Sequence, residues 1–314
     1  FRTPRFVSLE MLQLNTGQWG DNFCCVEEKD QNKHYAACKK NPGHGNFFPA
    51  DKFSKDHLPP FYQRDGIVEF LRMTSDLTVR VTVKYVSEKR PATIPGTDIP
   101  YPWSSNRGSH LTRVGAGWLH YAGVDDEIEC ECTECRNSPR PKPQLACVII
   151  NTAAHFIFDD LEAIHTTCQL SFDWWETPVG SNVVKLTDVY QFFSKIEADT
   201  CKIKYFTHDL DLVRSIKSLC DKHYTAFNIL GRCNMEPLKH VKQSDKDDAT
   251  QEVPLHVAIF HPHGCAKQVS IGYCDLTHNA NTEESQCSHT SILCPGASGA
   301  LVNEMSWKVY PVGK

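Results

Sequence analysis

Alternating apolar and polar residues mark the first strand that the sequence predicts. Between positions 77 and 85 every second residue is apolar, and a period of two with β-branched residues predicts a half-buried strand. A second strand is predicted over 114–121, and the unbroken apolar run 146–151 predicts a buried strand. The β pattern continues towards the C-terminus, with further strands predicted near 165–173, 201–206, 255–260, 268–274 and 299–310.

Two segments have helical spacing instead. One covers 189–196, and the other covers 212–223, where Leu212, Ile216 and Leu219 fall on one face. Many short strands separated by turns favour a barrel or a sandwich. The predicted fold class is therefore all-β, meaning mainly β with one or two short helices.

Composition narrows the class of protein further. The 314 residues include 33 basic and 38 acidic side chains, a net charge of −5, with 40% hydrophobic and 23% charged residues. This balance is typical of a soluble globular protein, and no apolar run approaches the ~18 to 20 residues that a bilayer crossing needs. A mildly acidic chain has no general electrostatic attraction to nucleic acid. We therefore expect neither nucleic acid nor a membrane as a partner.

Cysteine is abundant and unevenly spread. There are 15 cysteines, and an odd count means that at least one thiol is free or paired with another molecule. Cys130, Cys132, Cys135 and Cys147 could bind a structural zinc ion, form disulfides or remain thiols, and their spacing does not choose among these. The absence of a signal peptide and of an Asn-x-Ser/Thr sequon favours a cytoplasmic setting over secretion.

Two short motifs carry candidate chemistry: Thr-Ala-Ala-His at 152–155, after a buried apolar run, and Gly-Ala-Ser-Gly at 296–299. A serine hydroxyl becomes a useful nucleophile only when an imidazole can take its proton and a carboxylate holds that imidazole in one tautomer. Amides in a glycine-containing turn can stabilise the charge that develops on the substrate oxygen. These needs predict His155 as base, Ser298 as nucleophile, and the amides of Gly296 and Ser298 as an oxyanion hole.

In this order and in a β-rich chain, the two motifs resemble those of the chymotrypsin-like serine peptidases. The resemblance implies two packed six-stranded antiparallel β-barrels, and a His-Asp-Ser triad that cleaves protein or peptide substrates through an acyl-enzyme without a cofactor. Asp209, at the head of an apolar stretch between the motifs, would be the triad carboxylate, with Asp211 as a weaker rival. A His-Pro-x-Gly turn at 261–264 is similar to the intracellular, high-temperature-requirement branch rather than to digestive trypsins.

Departures from the family pattern bear on specificity and completeness. Ile292, six residues before Ser298, would lie at the base of the primary specificity pocket, so apolar or small substrate residues are expected rather than Arg or Lys. Only 16 residues follow Ser298, which leaves three alternatives: a trimmed chain, an abbreviated second barrel, or a protein that binds without cleaving. A catalytically inactive protein of this fold, acting as a binding or assembly module, is the alternative.

The expected organisation has three parts. Residues 1–65 would form an irregular, cysteine-containing extension, 66–225 a first barrel with the base and its carboxylate, and 226–314 a second barrel with the nucleophile. The oligomeric state is left open.

Overall fold

The computed structural model describes residues 30–125, 135, 145–174, 183–233, 254–278 and 285–305. Its α-helices are α1 Gln31–Ala36, α2 Asp65–Leu77, α3 Asp160–Ala163 and α4 Leu210–Cys233. Its strands are β1 Phe47–Pro49, β2 Thr78–Val83, β3 Arg113–Asp125, β4 Leu145–Thr152, β5 Thr166–Leu170, β6 Val184–Leu186, β7 Tyr190–Lys195, β8 Thr200–Thr207, β9 Leu255–Phe260, β10 Gln268–His278, β11 Ser285–His289 and β12 Val302–Met305. These strands form two antiparallel sheets, which confirms the predicted all-β class.

Seven strands form the first sheet, in the order β6-β5-β2-β3-β4-β8-β7. Its apolar core contains Val81, Ile150 and Ile203, and α4 covers this core with Val213 and Ile216. Burial of branched side chains on a sheet face by a helix stripe removes apolar surface from water and holds the layers together.

The prediction that β2 is half-buried is wrong, because all six of its residues are buried. Its polar face does not meet water but faces the second sheet. There the Arg80 Nε donates a hydrogen bond to the Gly264 carbonyl oxygen at 2.7 Å, and its guanidinium also bonds Gln169. Buried polar groups that find partners in this way are tolerated inside a protein.

The second sheet has the order β1-β10-β9-β12, with β11 also paired to β10. Strand β1 comes from the segment predicted to be an irregular extension, and its Phe47 stands opposite Ser270 of β10. Helix α2 packs Phe70 into the same apolar cluster as Val257 and Ile259 of β9. The N-terminal segment and α2 therefore pack with the second sheet, although α2 falls within the predicted first barrel.

The structure decides between the two predicted helices. Residues 212–223 lie in α4, as predicted, but α4 is 24 residues long rather than short. The helix predicted over 189–196 is wrong, because this segment contains strand β7, which pairs with β8. Short apolar windows have too few residues to separate a helical period from a strand, and the aromatic residues here favour a strand. The described strands divide seven and five rather than six and six.

The two sheets meet where the predicted motifs lie. The Ala116 amide of β3 donates to the Ser298 carbonyl oxygen at 2.7 Å. Beside this bond an apolar cluster spans both sheets and the N-terminal segment, and it includes Phe47, Ala116, Phe260 and Cys294. Among the described helices, none combines the length and apolar character that a bilayer crossing needs.

Candidate active site

His155 lies in a tight turn directly after β4. The strand ends with Thr152, whose hydroxyl donates to the Ala116 carbonyl oxygen at 2.9 Å. The next turn is held by the Ala154 amide, which donates to the Asp199 carbonyl oxygen at 3.2 Å. Small residues at 153 and 154 are fully packed, so the imidazole is carried on a rigid support.

Ser298 lies in a turn of the second sheet that needs glycine on both sides. Gly296 has φ of +101° and Gly299 has φ of +80°, which side chains rarely adopt. A Cβ atom at Gly299 would collide with the Thr152 hydroxyl and the Ala116 carbonyl oxygen, both in the first sheet. The glycine therefore allows the close approach of the two sheets that brings Ser298 to His155.

Three side chains form a continuous hydrogen-bonded line at this junction. The Ser298 Oγ is 3.2 Å from the His155 Nε2, and the His155 Nδ1 is 2.8 Å from the Asp199 Oδ2. The other carboxylate oxygen, Oδ1, accepts from the His155 backbone amide at 2.8 Å. A carboxylate only accepts, so Nδ1 carries the proton and Nε2 is left as an acceptor towards the serine.

The carboxylate beside His155 is Asp199 and not the predicted Asp209, which is a correction. Asp209 lies at the start of α4, where its Oδ1 accepts from the Leu212 amide at 2.9 Å and so caps the helix. Its rival Asp211 is exposed and forms a salt bridge with Arg214. Asp199 occupies the turn between β7 and β8 with φ of +44°, a conformation that Asp adopts more readily than most residues.

The predicted oxyanion donors are two backbone amides of the Ser298 turn. The backbone N–H groups of Gly296 and Ser298 have no hydrogen-bond partner among the described residues. The turn between them is closed by the Ala297 amide, which donates to the Cys294 carbonyl oxygen at 3.1 Å. The predicted pocket residue Ile292 is half-buried against the cluster of Phe47 and Cys294, and its role in specificity stays a prediction.

A buried network of charged side chains holds the backbone of the His155 turn. The Arg90 Nη1 donates to the His155 carbonyl oxygen at 2.8 Å. Arg90 also pairs with Glu162 at 2.6 Å, and Arg113 pairs with the same carboxylate at 3.0 Å, all three side chains having no solvent exposure. Burial would raise the pKa of Glu162, but its hydrogen bond from Arg90 and the two guanidinium charges outweigh burial and lower that pKa.

The line of three side chains is nearly closed to solvent. Ser298 is 5% exposed and His155 is 2% exposed. The Trp103 ring stacks over the His155 ring, with centroids 6.0 Å apart. A cavity of about 820 Å³ opens elsewhere, between α2 and α4. A dry environment strengthens the hydrogen bonds of the site and limits what can reach the serine.

The predicted cysteine cluster is only partly described. Cys130 and Cys132 lie outside the described residues. The Cys135 Sγ is 3.1 Å from the His208 Nε2, and Cys147 is buried in β4. Zinc binding by these four cysteines stays a prediction.

A different set of metal-binding side chains lies beside the Ser298 turn, where no motif pointed to it. Cys38, His44, His263 and Cys294 are all buried, and one donor atom from each lies within 4.8 Å of the others. Burial lowers the pKa of His44, and it lowers the pKa of His263 to about 4. Both imidazoles are therefore neutral at neutral pH. The only sequence signal for this set was the unusual number of His and Cys residues in the chain.

Comparison with known proteins adds little to this geometry. No protein-family model matches the chain, and no curated protein matches it. Among solved structures it is similar to the HtrA-type protease AlgW, in a Ser-to-Ala variant with a decapeptide, with 12% identity and a TM-score of 0.33. The match covers 74% of this chain and 54% of that one, so this chain spans about half the length of that structure. A likeness at this level does not define a family, and the function has to be argued from the residues.

Proposed function

We propose that this protein is a serine peptidase whose triad is His155, Asp199 and Ser298. The observation that carries the proposal is the line of two hydrogen bonds, 2.8 Å from Asp199 to His155 and 3.2 Å from His155 to Ser298. A serine, an imidazole and a carboxylate in this order form the unit that activates a hydroxyl for acyl transfer, whatever the fold that carries it.

Each group has one role in the proposed reaction. The Ser298 Oγ attacks the substrate carbonyl carbon while the His155 Nε2 takes its proton, and Asp199 stabilises the imidazolium that results. The amides of Gly296 and Ser298 donate to the oxygen that gains negative charge. His155 then protonates the leaving amine, which departs and leaves an acyl-serine. A water molecule, deprotonated by His155, attacks the acyl carbon, and the serine recovers its proton.

The proposed substrates are peptides with small or apolar side chains at the cleaved bond. The support is Ile292, which precedes the Ser298 turn and offers no negative charge to bind Arg or Lys. The low exposure of Ser298 suits an extended peptide better than a folded protein surface.

A second candidate function is a binding or assembly module with the same fold and no turnover. The observation that favours it is again the burial of Ser298, at 5% exposure. If substrate cannot displace the residues over the triad, the hydrogen-bonded line would be structural. The two candidates differ in one measurable property, which is the reactivity of the Ser298 hydroxyl.

A fluorophosphonate probe tests that reactivity, because it is small and forms a covalent bond only with an activated serine. We expect the folded wild-type chain to be labelled, and labelling to disappear in Ser298→Ala. Hydrolysis of a small apolar ester should fall by about 10⁶-fold in the same variant, the scale seen when a triad nucleophile is removed.

The chain offers a matched control in Ser291, a buried serine whose Oγ lies 2.7 Å from the His256 Nδ1. Among the described residues no carboxylate holds that imidazole, and its Nε2 has no hydrogen-bond partner. Ser291→Ala should therefore keep full labelling. If the folded wild type is not labelled, or if labelling survives Ser298→Ala, the peptidase proposal is wrong and the binding module is favoured.

A further inference from the structure

A second cluster of reactive side chains lies beside the loop that leads to Ser298. Cys38 and His44 come from the N-terminal segment, His263 follows β9, and Cys294 precedes the Ser298 turn. All four side chains are buried, with Cys294 fully buried and His44 only 3% exposed. Residues from three distant parts of the sequence therefore meet at one point.

The spacing of the two sulfurs separates a disulfide from a pair of sulfurs that share one zinc ion. The Cys38 and Cys294 Sγ atoms are 3.7 Å apart. A disulfide would require about 2.05 Å. Two zinc–sulfur bonds of about 2.3 Å at the tetrahedral angle put the sulfurs about 3.8 Å apart. The observed separation thus equals the edge of a tetrahedral zinc site.

The two imidazoles complete this tetrahedron. Their rings pack edge to face with centroids 5.3 Å apart, and all four donor atoms lie within 4.8 Å of one another. With zinc–nitrogen bonds of about 2.0 Å at the tetrahedral angle, a nitrogen lies about 3.3 Å from a second nitrogen and about 3.5 Å from a sulfur. A contraction of at most about 1.5 Å would therefore bring every donor into range.

Three of the four ring nitrogens are unpaired in the part of the chain that the structure describes. Both nitrogens of His44 and the Nε2 of His263 are buried and lack a hydrogen-bond partner among the described residues. An unpaired buried polar atom is destabilising, and one zinc ion would take one nitrogen from each ring. Both histidines also have left-handed backbones, with φ of +50° at His44 and +53° at His263, which adds strain that a ligand can offset.

We propose that Cys38, His44, His263 and Cys294 bind one structural Zn²⁺ ion. Two thiolates and two neutral imidazoles form a common closed donor set for zinc, and such a site stabilises a fold directly. The surroundings suit this role. The Asn41 amide donates to the Cys38 sulfur at 3.4 Å, and the Tyr35 ring stacks on His44 at 3.7 Å between centroids. Contacts of this kind orient metal ligands.

The site ties the N-terminal segment to the turn that carries Ser298. Cys294 is two residues before Gly296, whose amide is one of the proposed oxyanion donors. The His263 amide donates to the Pro295 carbonyl oxygen at 2.6 Å, so both His263 and Cys294 hold the same short loop. The ion would fix this loop without taking part in the acyl transfer.

Metal content of the full chain, purified under reducing conditions with added Zn²⁺ and then desalted, tests the proposal. Mass spectrometry of the elements should find one zinc per chain more in the wild type than in Cys38→Ser, whatever the other cysteines bind. Cys265→Ala is the matched control, because this buried thiol lies close by but outside the four donors, and it should keep the zinc.

Replacing zinc by Co²⁺ gives a readout that does not depend on hydrolysis. Tetrahedral cobalt with two thiolates should show sulfur-to-cobalt charge-transfer bands and intense ligand-field bands. Should Cys38→Ser fail to fold, His44→Cys serves instead, because a third thiolate should keep the metal and strengthen the charge-transfer bands. A folded, reduced wild type without zinc or the tetrahedral cobalt spectrum, or an unchanged spectrum in folded His44→Cys, would overturn the proposal whatever the result at Ser298.

Discussion

The loop from Cys294 to Ser298 has a histidine site at each end, and the two sites differ in how their ring nitrogens are used. At the Ser298 end, both nitrogens of His155 have partners, Asp199 at 2.8 Å and the serine at 3.2 Å. At the Cys294 end, His44 has two unpartnered ring nitrogens and His263 has one, among the described residues. At the Ser298 end, the hydrogen bonds of the imidazole are complete. At the Cys294 end, the lone pairs of the ring nitrogens bind no group in the described part of the chain.

Burial alone does not distinguish the histidines of the two sites. Histidines at both ends are almost fully buried, so burial does not separate a base from a ligand. The group next to the second ring nitrogen does separate a base from a metal ligand. A carboxylate on Nδ1 fixes the proton and leaves a base, whereas a cluster of thiols and bare nitrogens suits a cation.

Among changes that keep Ser298, the largest effect should come from removing the carboxylate at the Ser298 end. We expect Asp199→Asn to lower kcat/KM for a small apolar ester by about 10⁴-fold, because an amide does not hold the reactive tautomer of the imidazole. Asp209→Asn is the matched control, since Asn caps a helix as well as Asp does. Its kinetics and its thermal unfolding should stay at wild-type values. Equal loss in the two variants would remove Asp199 from the triad.

The same pair of aspartates shows how far the sequence could predict the site. The motifs around His155 and Ser298 could be read because each is short and contiguous. Asp199 could not, because it lies in a hairpin turn whose first strand, β7, has apolar spacing that also fits a helix. Asp209 precedes an apolar stretch in the sequence, but this stretch belongs to α4, away from the His155 turn.

The fold was predictable to a similar extent. Long runs with a clear period, such as β2 and β4, were found in place. What could not be predicted is where distant segments pack. Strand β1 joins the second sheet through three residue pairs, and a segment of three residues has too little pattern to show this. The Cys38 and Cys294 donors are likewise separated by 256 residues, and no local motif marks such a pair.

The next largest effect should come from the ion network that holds the His155 end. Glu162→Gln removes the carboxylate that the two buried guanidinium groups share, and breaking a buried pair in this way costs about 3–5 kcal/mol of unfolding free energy. Denaturant unfolding at constant pH would measure it, with Glu88→Gln, an exposed glutamate, as control. A loss no larger than the control's would show that the network does not stabilise the fold.

Gly296→Ala should disturb both ends of the loop at once. Alanine does not readily adopt φ of +101°, and its Cβ would collide with the His261 carbonyl oxygen. Displacement of one oxyanion donor is expected to lower kcat by about 10²- to 10³-fold, and zinc content should fall with it. Gly45→Ala adds a methyl group with nothing within 4 Å and should change neither quantity. Loss of activity with full zinc content would mean that the two ends of the loop are not coupled.

The smallest effect concerns His223, a buried histidine that belongs to neither end of the loop. It shows how a buried, neutral histidine behaves outside both sites. The His223 Nε2 lies 3.0 Å from the Thr74 hydroxyl, which itself donates to the Phe70 carbonyl oxygen, so this nitrogen carries the proton of a neutral ring. Burial lowers the pKa of His223 to about 4. Its folded-state pKa is therefore below the unfolded one of about 6.5, and stability present above that value is lost as pH falls towards about 4.

His223→Gln keeps a donor to Thr74 but does not titrate. Between about pH 7 and about pH 5, the free energy of unfolding measured with denaturant should fall by about 2 kcal/mol less in this variant than in the wild type. Equal decreases in the two proteins would mean that the fold does not hold His223 neutral.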